Sequence, residues 1–276
     1  KADMLSELEN RSSHHNKVRT EVEQFGPLIN QLGAEVASVR PAKMEDCVTF
    51  SNRMDAALGL LSDETAVLKH FTDWPENKVD TMREAVAAHT TLVRLREDAS
   101  RCQVSSGEHW GPQRERLGAQ VQELQRAVEA RSRTLEADMK RYREHSIPWD
   151  AGLLPSVKTA ALKYVQVYLD RAVEETQKLM ATTTPALDPS ISHRCKNLCT
   201  DAAQFAFRVH QFVGGFNQEC NETFARVQGL LTQLAAAEQP SSGQEELQGA
   251  SGSSSSSAVA ASSASQAGGS GSVSLI

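Results

Sequence analysis

Apolar residues recur at intervals of three and four along nearly the whole chain, and that spacing restricts it to helices packed on helices. Strand signals are all but missing: aromatics are 5% of the residues, and no run alternates Val, Ile or Thr with polar residues. A first helix is expected from about Asp3 to Gln24 on Met4, Leu8, Val18 and Val22, restarting after Gly26-Pro27 with Leu28, Leu32 and Val36 and ending at Arg40-Pro41. Met44 to Leu61 carries Val48, Met54 and Leu58. A further helix runs from about Glu76 to Arg101 on Met82, Val86, His89, Val93 and Leu95, with Ser105-Ser106-Gly107 as a break.

The longest helix is expected from Pro112 to His145, where Leu117, Val121, Leu124 and Val128 keep a seam that slips before Leu135, Met139 and Tyr142. About 34 residues would reach roughly 50 Å, as a bundle spine or as an oligomer contact. Ser146 to Pro155 breaks the periodicity. Ser156 then caps a helix carrying Leu162, Val165, Leu169, Val173 and Leu179, closed by Thr182 to Pro185. From about Pro189 the stripe Leu198, Ala202, Phe205, Val209, Phe212, Phe216 continues through Gly214-Gly215 into Phe224, Val227, Leu231 and Leu234, so the glycine pair reads as a kink or hinge. After Gln239-Pro240 the composition turns to Ser, Gly and Ala, which cannot bury enough surface to offset chain entropy. The expectation is an elongated all-α bundle of about six helices over residues 1–238 and a disordered tail over 239–276.

The formal charge of -6 with both signs interspersed gives no basic footprint for nucleic acid. Five scattered cysteines, an odd count, read as reduced thiols rather than a disulfide framework. No apolar run reaches the roughly 20 residues that span a bilayer. The chain starts at Lys1 rather than Met, so a membrane anchor or targeting element of a longer parent would lie upstream.

Four sets of residues invite a chemical reading. In His193-x-Cys195-x-x-x-Cys199 the i, i+4 spacing puts the two thiols on one helical face and zinc accepts Cys and His, with Cys220 and His210 as the remaining candidate ligands, although free core cysteines are the preferred reading. Cys102 with His109 could be drawn as a nucleophile pair, but neither sits in a strand-turn-helix context, and no Gly-rich phosphate loop occurs. Glu21, Glu23, Glu174 and Glu175 read as solvated helix faces, and His14-His15 as a solvated pair. Nothing here calls for a cofactor, a metal or an enzymatic activity. The sharpest local signal is Asp63 to Ala85, in which Ser62 with Asp63 and Glu64 caps a turn, Lys69-His70-Phe71-Thr72-Asp73-Trp74 sets a cation beside two aromatics, and Pro75 suits a helix start. Lys69, His70 and Trp74 are therefore interface candidates, with bundle-end packing as the alternative for Phe71 and Trp74. Arg208 and His210 are expected opposite Phe205, Val209 and Phe212, free of core duty, and join them as interface candidates.

The blocks Leu8-Glu9-Asn10-Arg11-Ser12, Ala66-Val67-Leu68-Lys69-His70-Phe71 with Asp73-Trp74-Pro75-Glu76, Arg141 to Pro148, and Phe205 to Phe216 fall in one order and span about four-fifths of the chain. In them the chain resembles the C-terminal region of the plant chloroplast unusual positioning proteins. It departs from that pattern at Asp55-Ala56-Ala57, at Thr72 and at Trp149-Asp150-Ala151-Gly152. The resemblance implies a helical domain similar in shape to a formin homology 2 domain. It further implies actin binding and filament assembly or anchoring on the cytosolic face of the chloroplast outer envelope, in the service of chloroplast movement. Profilin would act through an upstream proline-rich segment, the envelope would be reached through an upstream anchor, and homo-oligomers are possible. A microtubule-associated paralogue is the alternative within the family, and a Cys/His metal enzyme is the rival of another class.

Overall fold

The computed structural model describes residues 2–103, 109–182 and 188–237, with side chains from Ser12 onward. Among the described residues every regular element is a helix. There are eight: α1 (Ala2–Ser38), α2 (Met44–Leu58), α3 (Glu64–Leu68), α4 (Glu76–Ser100), α5 (Trp110–Glu144), α6 (Leu153–Ala181), α7 (Pro189–Val213) and α8 (Gln218–Ala236). None is long and apolar enough to cross a membrane. The expected break at 105–107, the Pro185 end of α6 and the tail from residue 239 lie outside the described residues.

The expected restart at Gly26-Pro27 does not occur, and α1 runs unbroken for 37 residues, which makes it longer than the 35-residue α5. Pro27 is exposed, so its ring and missing N–H fall on the solvent side, where helices already curve outward and their hydrogen bonds lengthen. The opposite side holds the helix through buried Val18, Ile29, Leu32 and Val36. Two glycines on α1 receive the aromatics that follow α3. A Cβ at Gly26 would stand 3.9 Å from the Phe71 ring, and one at Gly33 would stand 3.6 Å from the Trp74 ring.

Helix ends follow ordinary capping chemistry. Asp63 Oδ1 accepts from the Ala66 N–H at 2.9 Å, Asp188 Oδ1 from the Ser190 N–H at 2.7 Å, and Asn217 Oδ1 from the Cys220 N–H at 2.9 Å. The end of α5 is a Schellman turn: Ile147 N–H reaches Tyr142 O at 2.8 Å, Ser146 N–H reaches Arg143 O at 3.2 Å, and Ser146 takes φ 56°. Ile147 and Tyr142 then pack together in one hydrophobic cluster with Met44, Cys47, Met82 and Ala85. The glycine pair after α7 terminates the helix. Gly214 adopts φ 91°, its N–H bonds His210 O at 2.8 Å, and α8 starts afresh at Gln218. The apolar stripe does continue across the gap, because α8 folds back onto α6 and α7.

The central element is α6, which is buried nearly all round and packs against α4, α5, α7 and α8. Its Tyr168 stacks on Phe205 of α7 with ring centroids 4.1 Å apart, and the Trp110 ring of α5 meets Tyr168 edge-on at 4.8 Å. Where α5 turns toward α6, a charge is enclosed by aromatics. The Arg131 guanidinium lies 4.7 Å from the Trp149 ring centroid and 5.4 Å from that of Tyr142, and it donates to the Tyr142 hydroxyl. Its Nη1 is 3.0 Å from Asp138 Oδ2, with the two side chains only 10% and 3% exposed. Arg141 donates to the other Asp138 oxygen and pairs with Glu84 at 2.9 Å, tying α5 to α4.

A candidate partner-binding surface

Helices α5 and α7 both pack extensively on α6 and only sparingly on each other. A groove of about 710 Å³ therefore opens between them, with α6 at its base. Helix α5 contributes Gln125, Val128, Glu129, Ser132 and Arg133, α6 contributes Lys158, and α7 contributes Arg208, Gln211 and Phe212. Val128 is fully buried beneath it. The Lys158 ammonium sits 5.5 Å from the centroid of the Phe212 ring, a cation held over an aromatic face. Glu129 accepts from Gln125 Nε2 at 2.7 Å and stands 3.9 Å from Arg133.

The expected placement of Arg208 opposite Phe212 is corrected: both residues line this groove. Positions 208 and 212 are four apart and so differ by only about 40° around a helix. His210 is half-buried at the end of α7. Its ring meets Phe216 edge-on at 4.7 Å and lies parallel to Phe207 at 6.4 Å. Phe207 is 56% exposed, and Phe216 leads on to Phe224 of α8 at 5.6 Å.

Lys69 and His70 are exposed at the end of α3, while Trp74 is half-buried and joins the clusters that α1 forms with α2, α3 and α4. Trp74 thus packs with the clusters around Leu32 and Val67, whereas Phe212, the groove neighbour of Arg208, packs against the core around α6.

The candidate metal ligands are not gathered. Cys195 Sγ lies 3.9 Å from Thr176 O and Cys199 Sγ 3.5 Å from Thr176 Oγ1, whereas Cys220 Sγ donates to Leu162 O at 3.4 Å. Thr176 and Leu162 are 14 residues apart on α6, about 21 Å along its axis. His193 is exposed. Among the described residues no group of three or more His, Cys, Asp or Glu side chains is arranged to hold a metal. Burial pushes the Cys195 and Cys199 thiols up, and Cys220 to about 11. Cys102 is half-buried near α6, and His109 is exposed ahead of α5.

Two groups read as solvated have structural partners. Glu21 is buried and accepts from the Ser62 N–H at 3.1 Å, and His14 Nε2 is 3.2 Å from Asp63 Oδ2, so both fasten α1 to the start of α3. Glu174 and Glu175 flank the buried Arg171 at 3.0 Å and 2.7 Å, while Glu23 and His15 are exposed. The groove residues Arg133, Lys158 and Gln211 were not singled out from sequence. Their only signal is polarity beside an apolar stripe, which does not reveal which helices become neighbours.

Residues 82–258 match the family model described as the C-terminal domain of IPGAL1-like proteins, a match over more than half of the chain. An uncharacterized Arabidopsis thaliana protein is 23% identical over 245 residues, covering 89% of this chain and 33% of its own length. The chain thus spans about a third of the length of that relative.

Proposed function

The chain belongs to the family of IPGAL1-like C-terminal domains, and from that membership we propose a non-catalytic, filament-binding helical domain in a protein of the chloroplast unusual positioning type. IPGAL1-like proteins are related to that family, and the blocks around Lys69-His70, Arg141 to Pro148 and Phe205 to Phe216 carry the resemblance. In this reading the domain binds actin and promotes or anchors filaments at the cytosolic face of the chloroplast outer envelope. Segments upstream in a longer parent supply the envelope anchor and the proline-rich contact to profilin.

The observation that carries the reading is exposed positive charge on a chain whose net charge is -6. Lys69 is exposed after α3 with His70 exposed beside it, Arg208 is exposed on α7, and carboxylate-rich filament surfaces are attracted to the Lys69 and Arg208 charges. Trp74 and His210 are half-buried rings near them in the sequence. Cosedimentation of the protein with actin filaments and, separately, with microtubules tests the proposal. Pelleting with actin supports it, pelleting with microtubules alone moves the domain to the microtubule-associated branch, and pelleting with neither overturns it. Lys69→Glu combined with Arg208→Glu is expected to weaken pelleting and slow assembly in a pyrene-actin assay while the melting temperature holds at two salt concentrations. Assembly that falls only together with the melting temperature would assign these residues to the scaffold.

A further inference from the structure

The groove between α5 and α7 has a chemistry of its own. Three cations, Arg133, Lys158 and Arg208, face one carboxylate, Glu129, leaving a formal +2 inside a chain of net -6. The one carboxylate is already engaged by Gln125 and Arg133. Neither Lys158 nor Arg208 has a carboxylate within salt-bridge distance among the described residues. Many arginines elsewhere on the surface do, among them Arg53, Arg83, Arg94, Arg101, Arg114 and Arg141. Two apolar groups lie among these polar walls: the Phe212 ring forms one side under Lys158, and buried Val128 lies below.

We propose that this groove binds a short carboxylate-rich peptide segment carrying one apolar side chain, supplied by a protein partner. The carboxylates would meet Lys158, Arg208 and Arg133, and the apolar side chain would seat against Phe212 above Val128. From Gln125 to Arg133 the α5 wall rises through eight helical steps, about 12 Å, which matches about four extended residues. A cluster of guanidinium and ammonium groups beside an aromatic is an established way to recognise acidic motifs. The open, half-polar walls suit a peptide better than an enclosed small molecule. The inference deepens the filament reading and rests on it for which protein carries the segment, while the groove chemistry stands independently.

Fluorescence anisotropy with a labelled peptide of sequence Glu-Glu-Leu-Glu-Glu tests it, with the Gln-Gln-Leu-Gln-Gln peptide as the control. The acidic peptide is expected to bind at low salt and to weaken steadily as salt is raised. Lys158→Met with Arg208→Met is expected to weaken it by about tenfold or more. Phe212→Ala is expected to weaken it at unchanged salt dependence. Lys140→Met, an exposed charge elsewhere on α5, is expected to leave it unchanged. Binding of the Gln peptide with equal affinity, an equal loss in Lys140→Met, or no binding of the acidic peptide would overturn the proposal. Arg208→Met alone, at an exposed position, keeps the test readable if Lys158→Met lowers the melting temperature. The same variants in filament cosedimentation separate the two readings. Filament binding that survives the groove substitutions leaves the filament reading standing and removes the groove from it. Acidic-peptide binding without filament binding does the reverse.

Discussion

Replacing Asp138 by Asn removes one charge from the aromatic-enclosed node at the end of α5 and changes almost no volume. Among the described residues Arg131 would then keep Glu84, 3.9 Å away on the exposed side, as its one carboxylate beside the Tyr142 hydroxyl, for a guanidinium that is 10% exposed between two rings. Breaking a buried pair costs about 3–5 kcal/mol, and the amide oxygen of Asn still accepts one N–H, so about 3 kcal/mol is expected. For a domain of this size that lowers Tm by about 6–12 °C. Arg131→Met leaves Asp138 its contact with Arg141 but loses the two ring contacts, for about 2–3 kcal/mol. Both changes destroy the same pair, so the double variant should cost about 3 kcal/mol instead of the sum, a coupling of about 2 kcal/mol. Urea denaturation followed by circular dichroism measures all four corners of the cycle.

The pH dependence follows from the same contacts. Burial pushes the Asp138 carboxyl up, but the Thr134 and Arg141 hydrogen bonds and the Arg131 and Arg141 charges outweigh it and hold it below its ordinary value of 3.8. A carboxylate depressed in the folded state stabilises above its unfolded value, and that contribution fades as the pH falls through the lower folded value. The penalty of Asp138→Asn should therefore be full at pH 7 and shrink below pH 4. Single penalties that simply add, or a penalty equal at pH 7 and pH 3, would refute the reasoning.

Ser146→Gly should raise stability by about 1 kcal/mol, seen as a higher urea midpoint, because the φ of 56° at this helix end costs a residue with a Cβ what glycine avoids. Gln113→Met should also stabilise, by about 1–2 kcal/mol in the same assay: Gln113 is fully buried and neither of its amide atoms has a hydrogen-bond partner. Under native conditions at pH 8, maleimide labelling should reach Cys102 first and leave Cys47, Cys195, Cys199 and Cys220 unmodified until urea is added, since all four are buried and burial pushes Cys47 and Cys220 to about 11. Rapid native labelling at Cys199 would contradict the packing of α7 on α6.

The helical class and the larger helices were legible because periodicity alone specifies them: α4, α5 and α7 start or end within about two residues of their sequence-based positions. The cap expected of Ser62 with Asp63 and Glu64 falls to Asp63, whose side chain accepts the Ala66 N–H. Two punctuation marks misled in opposite directions. Pro27 reads as a stop, yet the buried face of α1 carries the helix past it, and Gly214 reads as a hinge, yet its positive φ ends α7. Residues whose role depends on a distant neighbour were not legible. Glu21 reads as solvated until Ser62, 41 positions away, donates to it, and Lys158 is one polar residue of an apolar helix until α5 and α7 stand apart on either side. Gly26 and Gly33 did carry a signal, two glycines seven apart on one helix face, but only the aromatics after α3 give them meaning.

The separation of the hydrophobic clusters sets an order of opening. Leu92, Leu95 and Ala99 of α4 share one continuous core with α5 to α8, whereas Val18, Ile29 and Val67 make a small cluster of their own between α1 and α3. Detaching α1 exposes that small cluster and the neighbouring one around Leu32, Val36 and Met54 while leaving intact the core around α6, to which α1 gives no residue among those described. Native-state amide exchange should accordingly rise in tiers, with the amides of α1 and α3 trading hydrogen for deuterium through a partial opening and those of α6 only when the whole molecule comes apart.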